Sequence, residues 1–177
     1  MSLSVLPNLL SLSRLIGAGV LPFLSHIPRV AFFFFFLVSV SDFFDGWIAR
    51  KFGNTSIVGK CLDPIADKCL VGSVYILLFL TNIVPFWLVI LVITRDIGIV
   101  CGAIYLWFRH ETRSFVGPIL LSKVNTFVQL GYAGFMLGNA AEVWHIALPH
   151  GICVVAVLTA ASWLSYLEIF WQRQKYT

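Results

Sequence analysis

Four aspartates, Asp42, Asp45, Asp63 and Asp67, stand close together in a chain that is otherwise strongly apolar. Asp42 and Asp45 are three apart, and Asp63 and Asp67 are four apart. Either spacing puts both members of a pair on one face of a helix. A short loop separates the pairs, so the two faces can converge. A carboxylate in the middle of a membrane helix costs about 2.5–3.5 kcal/mol on an insertion scale, less near an end. Four of them without cations would also repel one another strongly. Divalent cations among them resolve both problems. Hard oxygen donors with no histidine or cysteine favour Mg²⁺ or Mn²⁺ over zinc. The alternative is a solvated rim in which the aspartates pair with Arg50, Lys51, Lys60 and Lys68. Two pairs at helical spacing, flanking one loop, favour the metal reading. Gly46 and Ala49 share a helical face with Asp42 and Asp45 and leave room for a flat polar group against the backbone. Gly59 lets the loop turn back before the second pair, and Pro64 suits the first turn of the helix that follows.

These residues need helices to carry them. Apolar residues make up 59% of the 177 positions and charged residues 11%, less than half the usual charged share. Six apolar segments have spanning length, roughly 8–25, 30–49, 60–81, 84–108, 117–140 and 147–171. The reading is an all-α integral membrane protein with six transmembrane helices, forming one domain over residues 1–177. Arg50, Lys51, Lys60, Arg109, Arg113, Arg173 and Lys175 fall on one side and Arg29 on the other. By the positive-inside rule the termini and the aspartate loop face the cytoplasm. The active site is therefore expected at the cytoplasmic side. The net charge of +4 comes with no basic cluster that would suit nucleic acid. Cys61, Cys69, Cys101 and Cys153 lie in apolar segments without CxxC spacing and are expected as buried free thiols. The run "AFFFFFL" (31–37) reads as bulk facing lipid or other helices.

The spacing Asp42-x2-Asp45-Gly46-x2-Ala49-Arg50-x8-Gly59-x3-Asp63-x3-Asp67 resembles, without departure, the signature of the CDP-alcohol phosphotransferases (CDP-alcohol phosphatidyltransferases), which are six-span membrane enzymes. The resemblance implies two divalent cations, Mg²⁺ or Mn²⁺, held by Asp42, Asp45, Asp63 and Asp67. It implies a CDP pocket lined by Asp42, Asp45, Gly46, Ala49, Arg50 and Gly59. It also makes Asp67 the catalytic general base, which takes a proton from the acceptor hydroxyl as that hydroxyl attacks the lipid-bonded phosphorus and expels CMP. This is two-metal phosphoryl transfer, in which charge on the diphosphate is spread and the leaving group oriented.

Other stretches bear on the acceptor. "PNLLSLSRL" (7–15) is similar to the family's entry segment and brings Asn8 and Arg14 near the active site; an isolated Arg14 could instead snorkel to head groups. Arg95 and Asp96 lie well inside the fourth segment, and Lys123 and Asn125 sit early in the fifth. Charged residues this deep are expected to face the bundle interior and mark a ligand path. The competing reading is an internal ion pair of Arg95 or Lys123 with Asp96. Thr94-Arg95-Asp96, Leu121 to Gln129 ("LSKVNTFVQ") and Thr159 to Tyr166 ("TAASWLSY") resemble the CMP-forming cardiolipin synthases, with Thr94 and Leu121 as departures. That likeness implies transfer of a phosphatidyl group from CDP-diacylglycerol to phosphatidylglycerol, with cardiolipin and CMP as products. Asn8, Arg14, Arg95, Asp96, Lys123 and Asn125 would hold the acceptor or lipid head group. The alternative is a phosphatidylglycerophosphate synthase with glycerol 3-phosphate as acceptor. Its corresponding segments carry a glutamate where this chain has Asp96 and a lysine where it has Asn125. A dianionic acceptor would also be better served by that extra cation.

Two other classes fit poorly. None of His26, His110, His145 and His150 begins an HxKxxxxD motif, so phospholipase-D-like cardiolipin synthesis is excluded. A divalent-cation transporter would place acidic groups at several depths or show internal repeats, whereas these crowd at one face. Gly98-x3-Gly102 and Gly134-x3-Gly138 could pack within the bundle or form a dimer face; the family's habit favours a homodimer. The expected setting is a bacterial inner membrane rather than a mitochondrial one, because the chain begins with neither a signal peptide nor an Arg-rich transit peptide.

Overall fold

The computed structural model describes the backbone of residues 5–52, 57–108, 120–145, 148 and 150–175, with side chains for 12–41, 65–102, 120–145, 148, 150–168 and 171. Among the described residues it is all-helical. The elements are α1 (Val5–Val20), a 3₁₀ helix (Leu21–His26), α2 (Pro28–Phe52), α3 (Ile57–Leu80), α4 (Phe86–Phe108), α5 (Leu120–Ala140) and α6 (Gly151–Lys175). These lie on the six apolar segments read from the sequence. One helix, α6, is long and apolar enough to cross a membrane among the described residues, and Pro28–Ser41 of α2 is a shorter apolar stretch.

By internal contacts the chain divides into two compact units, Met1–Val84 with Ala133–Ile146, and Pro85–Tyr132 with Ala147–Thr177. In the first unit α1 packs along α3, and the 3₁₀ helix covers α3 and α2. Helical periodicity explains how. Arg14, Gly17 and Ala18 form the buried stripe of α1, which Leu21 of the 3₁₀ helix continues, and Ala66, Leu70, Val71, Val74, Leu77 and Leu78 form that of α3. At Gly17 a Cβ would come within 3.1 Å of the Val38 side chain, so the absence of one lets α2 close on α1.

The phenylalanine run resolves into two faces. Ala31, Phe32, Phe35 and Val38 are buried, while Phe33, Phe36 and Leu37 are exposed. Phe32 meets the Trp144 ring edge-on at 5.5 Å, and the Trp144 indole N–H donates to the Phe135 carbonyl at 3.0 Å. Two helix ends use left-handed residues. Asn82 (φ 57) and Glu142 (φ 60) follow α3 and α5, with Ile83 N–H donating to Leu78 O and Val143 N–H to Gly138 O, both at 2.9 Å. These are Schellman closures, which satisfy carbonyls that the helix leaves open. Glutamate is an unusual occupant of this position. At Glu142 it carries an ion pair to Arg29 at 2.5 Å, and Arg29 also donates to the Ala141 carbonyl.

In the second unit α4 packs on α6. A Cβ at Gly98 would overlap the Trp163 indole, which fixes glycine there. Gly98 of α4, and Gly134 and Gly138 of α5 against Phe35 and Trp144, are thus contacts inside the chain. Among the described residues nothing lies within 4 Å of where a Cβ at Gly102 would stand. Cys69, Cys101 and Cys153 are free thiols, but Cys101 and Cys153 stand on exposed faces rather than buried ones. They occupy outward positions of helices that are apolar all round, where no pattern distinguishes inside from outside. Cys61 lies outside the described side chains.

Candidate active site

The four aspartates are carried by α2 and α3. Asp42 and Asp45 lie on the backbone of α2, and Asp63 and Asp67 one turn apart on α3. The side chains of Asp42, Asp45, Gly46, Ala49, Arg50, Gly59 and Asp63 lie outside the described residues, as does that of Asn8 on α1. Asp67 is the signature residue whose surroundings are visible. It stands half-exposed at the end of the buried stripe of α3, one turn before Val71 and two before Val74.

Arg14 starts the buried stripe of α1, and the packing of α1 on α3 brings the two together. Arg14 Nη1 donates to Asp67 Oδ1 at 2.8 Å. The arginine side chain is 6% exposed and the aspartate 46%. The carboxylate is therefore open to a ligand while one oxygen is held by a charge-assisted bond. A carboxylate oxygen is a hard donor, the type that Mg²⁺ and Mn²⁺ prefer to zinc's nitrogen and sulfur ligands, and Arg14 occupies one of the two that Asp67 offers. Among the described residues no group of three or more histidine, cysteine, aspartate or glutamate side chains gathers.

The second unit holds a buried polar seam. Arg95 is fully buried; its Nη1 donates to Asp96 Oδ1 at 2.6 Å. Its Nη2 donates to Ser122 Oγ at 2.6 Å and to Ser162 Oγ at 2.8 Å. One turn on, Gln129 Nε2 donates to Thr159 Oγ1 at 2.9 Å, and Thr159 donates to Asn125 Oδ1 at 3.1 Å. Asn125 Nδ2 is buried without a partner among the described residues.

The Arg95–Asp96 geometry is that of the internal ion pair weighed above as the competing reading. Lys123 is exposed rather than inward. It stands in the first turn of α5, where Ser122 and Asn125 take the buried face. The partners Ser122, Thr159, Ser162 and Gln129 received no role from the sequence. Their signal was there in the spacing: Ser122, Asn125 and Gln129 repeat at three and four, as do Val155, Thr159 and Ser162.

The sequence pattern of CDP-alcohol phosphatidyltransferases matches residues 4–171. The chain belongs to this family. The match takes in α1 to α6 and both compact units. Among curated family relatives, the cardiolipin synthase (CMP-forming) of Rattus norvegicus is 34% identical, aligned over 91% of this chain and 60% of its own length. That of Homo sapiens is 32% identical over the same shares. A chloroplastic CDP-diacylglycerol–glycerol-3-phosphate 3-phosphatidyltransferase of Oryza sativa is 36% identical over 71% of this chain and 44% of its own length. The chain thus spans about three fifths of the length of the animal proteins it matches.

Proposed function

We propose that this protein is a metal-dependent membrane phosphatidyltransferase that moves the phosphatidyl group of CDP-diacylglycerol onto a hydroxyl of phosphatidylglycerol, giving cardiolipin and CMP. The observation that carries the reading is the family match over residues 4–171, joined to cardiolipin synthases aligned over 91% of the chain.

In this proposal Asp42, Asp45, Asp63 and Asp67 hold two divalent cations, Mg²⁺ or Mn²⁺. When bound, these spread the charge of the diphosphate and orient its leaving oxygen. Gly46, Ala49, Arg50 and Gly59 line the CDP pocket. Asp67 accepts the proton of the acceptor hydroxyl through its exposed carboxylate. The hydroxyl oxygen bonds to the phosphorus that carries diacylglycerol, and the bond from that phosphorus to the bridging oxygen breaks. CMP leaves with the electron pair of that bond, and the proton passes from Asp67 to solvent. Lys123, exposed at the start of α5, and Asn125, with its spare donor, contact the acceptor head group. Arg95, paired with Asp96, acts behind them by holding Ser122 and Ser162.

The membrane setting is supported by an inside-out distribution of polarity. Arg95, Asp96, Asn125, Gln129, Thr159 and Ser162 are buried, while Phe23, Phe33, Leu37, Phe127, Val157 and Leu164 are exposed. Polar side chains that bond across helices, with apolar side chains outside, suit a lipid solvent better than water. We extend this to six spans with the aspartates at the cytoplasmic face, one functional domain over 1–177, and a homodimer.

A second reading, phosphatidylglycerophosphate synthesis from glycerol 3-phosphate, draws support from the rice relative and from a Mycobacterium tuberculosis protein, a probable phosphatidylglycerophosphate synthase, 30% identical over 78% of the chain. An acceptor competition separates the two. Purified protein receives CDP-diacylglycerol, Mg²⁺ or Mn²⁺, and either acceptor, while CMP release is followed. Release with phosphatidylglycerol alone supports the first reading; release with glycerol 3-phosphate alone replaces it with the second.

A further inference from the structure

Arg14 has a position that does not suit a head-group ligand. It lies on the packed face of α1, in register with Gly17, Ala18 and Leu21, and is 6% exposed. A guanidinium that grips a lipid head group presents its donors to the water-filled or lipid-facing side. Arg14 instead places Nη1 at 2.8 Å from Asp67 Oδ1, across the α1–α3 contact. Asp67 is the more open member of the pair. The arrangement is a buried donor holding one oxygen of a carboxylate that stays about half exposed.

We propose that Arg14 is a positioning residue for Asp67, acting through that carboxylate rather than on the acceptor. The inference rests on the reading of Asp67 as a metal-holding and proton-accepting group. Partners that orient a ligand from behind typically govern metal affinity by about 10- to 100-fold. The positive charge of Arg14 works against cation binding, so a loss of affinity on its removal reports orientation and not charge. A group that acts only through Asp67 also loses its influence once that carboxylate is gone. Sites that do not interact are additive to within about twofold in binding constant.

The test is a double-mutant cycle with two binding readouts on the full chain in detergent. Mn²⁺ binding is measured from the free-ion paramagnetic resonance signal, and binding of dioleoyl phosphatidylglycerol is measured separately. The proteins are wild type, Arg14→Gln, Asp67→Ala and the double variant. The expected result is a loss of Mn²⁺ affinity of about tenfold or more for Arg14→Gln. In the Asp67→Ala background the same change moves it less than about twofold, and phosphatidylglycerol affinity holds throughout. Arg14→Lys, which keeps the charge and changes the geometry, carries the test if Arg14→Gln does not fold, with a loss in the same direction. Unchanged or tighter Mn²⁺ binding in the Arg14 variants overturns the proposal, as does weakened phosphatidylglycerol binding. Wild type that binds no Mn²⁺ overturns the metal reading itself, a different failure from the loss of the Arg14 role alone.

Discussion

Arg14 and Asp67 are 53 positions apart in the chain and 2.8 Å apart in space. The pair ties the first buried stripe of the fold to the last aspartate of the signature. It follows that the Asp67 carboxylate is oriented by the packing of α1 on α3.

The first prediction concerns Asp67 itself. Asp67→Asn keeps the size and the hydrogen bond to Arg14 but removes the basic oxygen. CMP release is expected to fall by about 10²- to 10⁴-fold, the usual contribution of a positioned general base. Binding of CDP-diacylglycerol with Mg²⁺, followed by thermal stabilisation in detergent, is expected to persist at a raised Mg²⁺ concentration, since three of the four carboxylates remain. Near-normal turnover in this variant sinks the base assignment.

Removal of divalent cations gives a second test. Treatment with a chelator is expected to stop CMP release, and Mg²⁺ or Mn²⁺ to restore it. Stabilisation against heat should require metal and CDP-lipid together. Stabilisation by metal alone, with no donor effect, is what a cation transporter would give.

Arg95 provides a third. Arg95→Met leaves Asp96 buried without its cation and Ser122 and Ser162 without their shared donor. Breaking a buried pair in this way costs about 3–5 kcal/mol, to be measured by unfolding in detergent. Arg95→Met combined with Asp96→Leu should recover most of the loss, because a buried pair replaced by apolar groups is close to neutral. No recovery would mean that Arg95 matters through something other than Asp96.

The glycines separate packing from open surface. Gly98→Ala drives a Cβ into the Trp163 ring and should destabilise by about 1–3 kcal/mol, with relief when Trp163→Ala accompanies it. Gly102→Ala meets nothing within 4 Å among the described residues and should raise stability by up to about 1 kcal/mol through helix propensity. A loss of stability at Gly102, with a change in elution volume, would instead reveal a second copy on that face.

Much of this fold was legible because each helix is a long apolar segment closed by turn residues. The gaps after the segments 60–81 and 117–140 were read from the sequence, and in each the chain takes a left-handed turn, at Asn82 and at Glu142. Faces were harder. In "AFFFFFL" every residue is apolar, so hydrophobic periodicity carries no phase, and only packing reveals that Phe32 and Phe35 turn inward while Phe33 and Phe36 turn out. The same loss of contrast hid the exposed Cys101 and Cys153. At the candidate site, the aspartate spacing identified the signature but not the partner of Asp67. Arg14 comes from a helix whose contact with α3 is set by tertiary packing. Arg95 and Asp96 were visible as deep charges, yet adjacent residues in a helix do not ordinarily face each other. Their pairing depends on Ser122 and Ser162 drawing the guanidinium into the seam.

The central claim is the transfer of a phosphatidyl group to phosphatidylglycerol. The most direct test supplies the purified protein with CDP-diacylglycerol, Mg²⁺ and phosphatidylglycerol whose glycerol head group carries deuterium, and analyses the lipids by mass spectrometry. The account predicts deuterated cardiolipin in amounts equal to the CMP released, and none from Asp67→Asn. Unlabelled products only, with phosphatidylglycerophosphate formed when glycerol 3-phosphate is added, would contradict it.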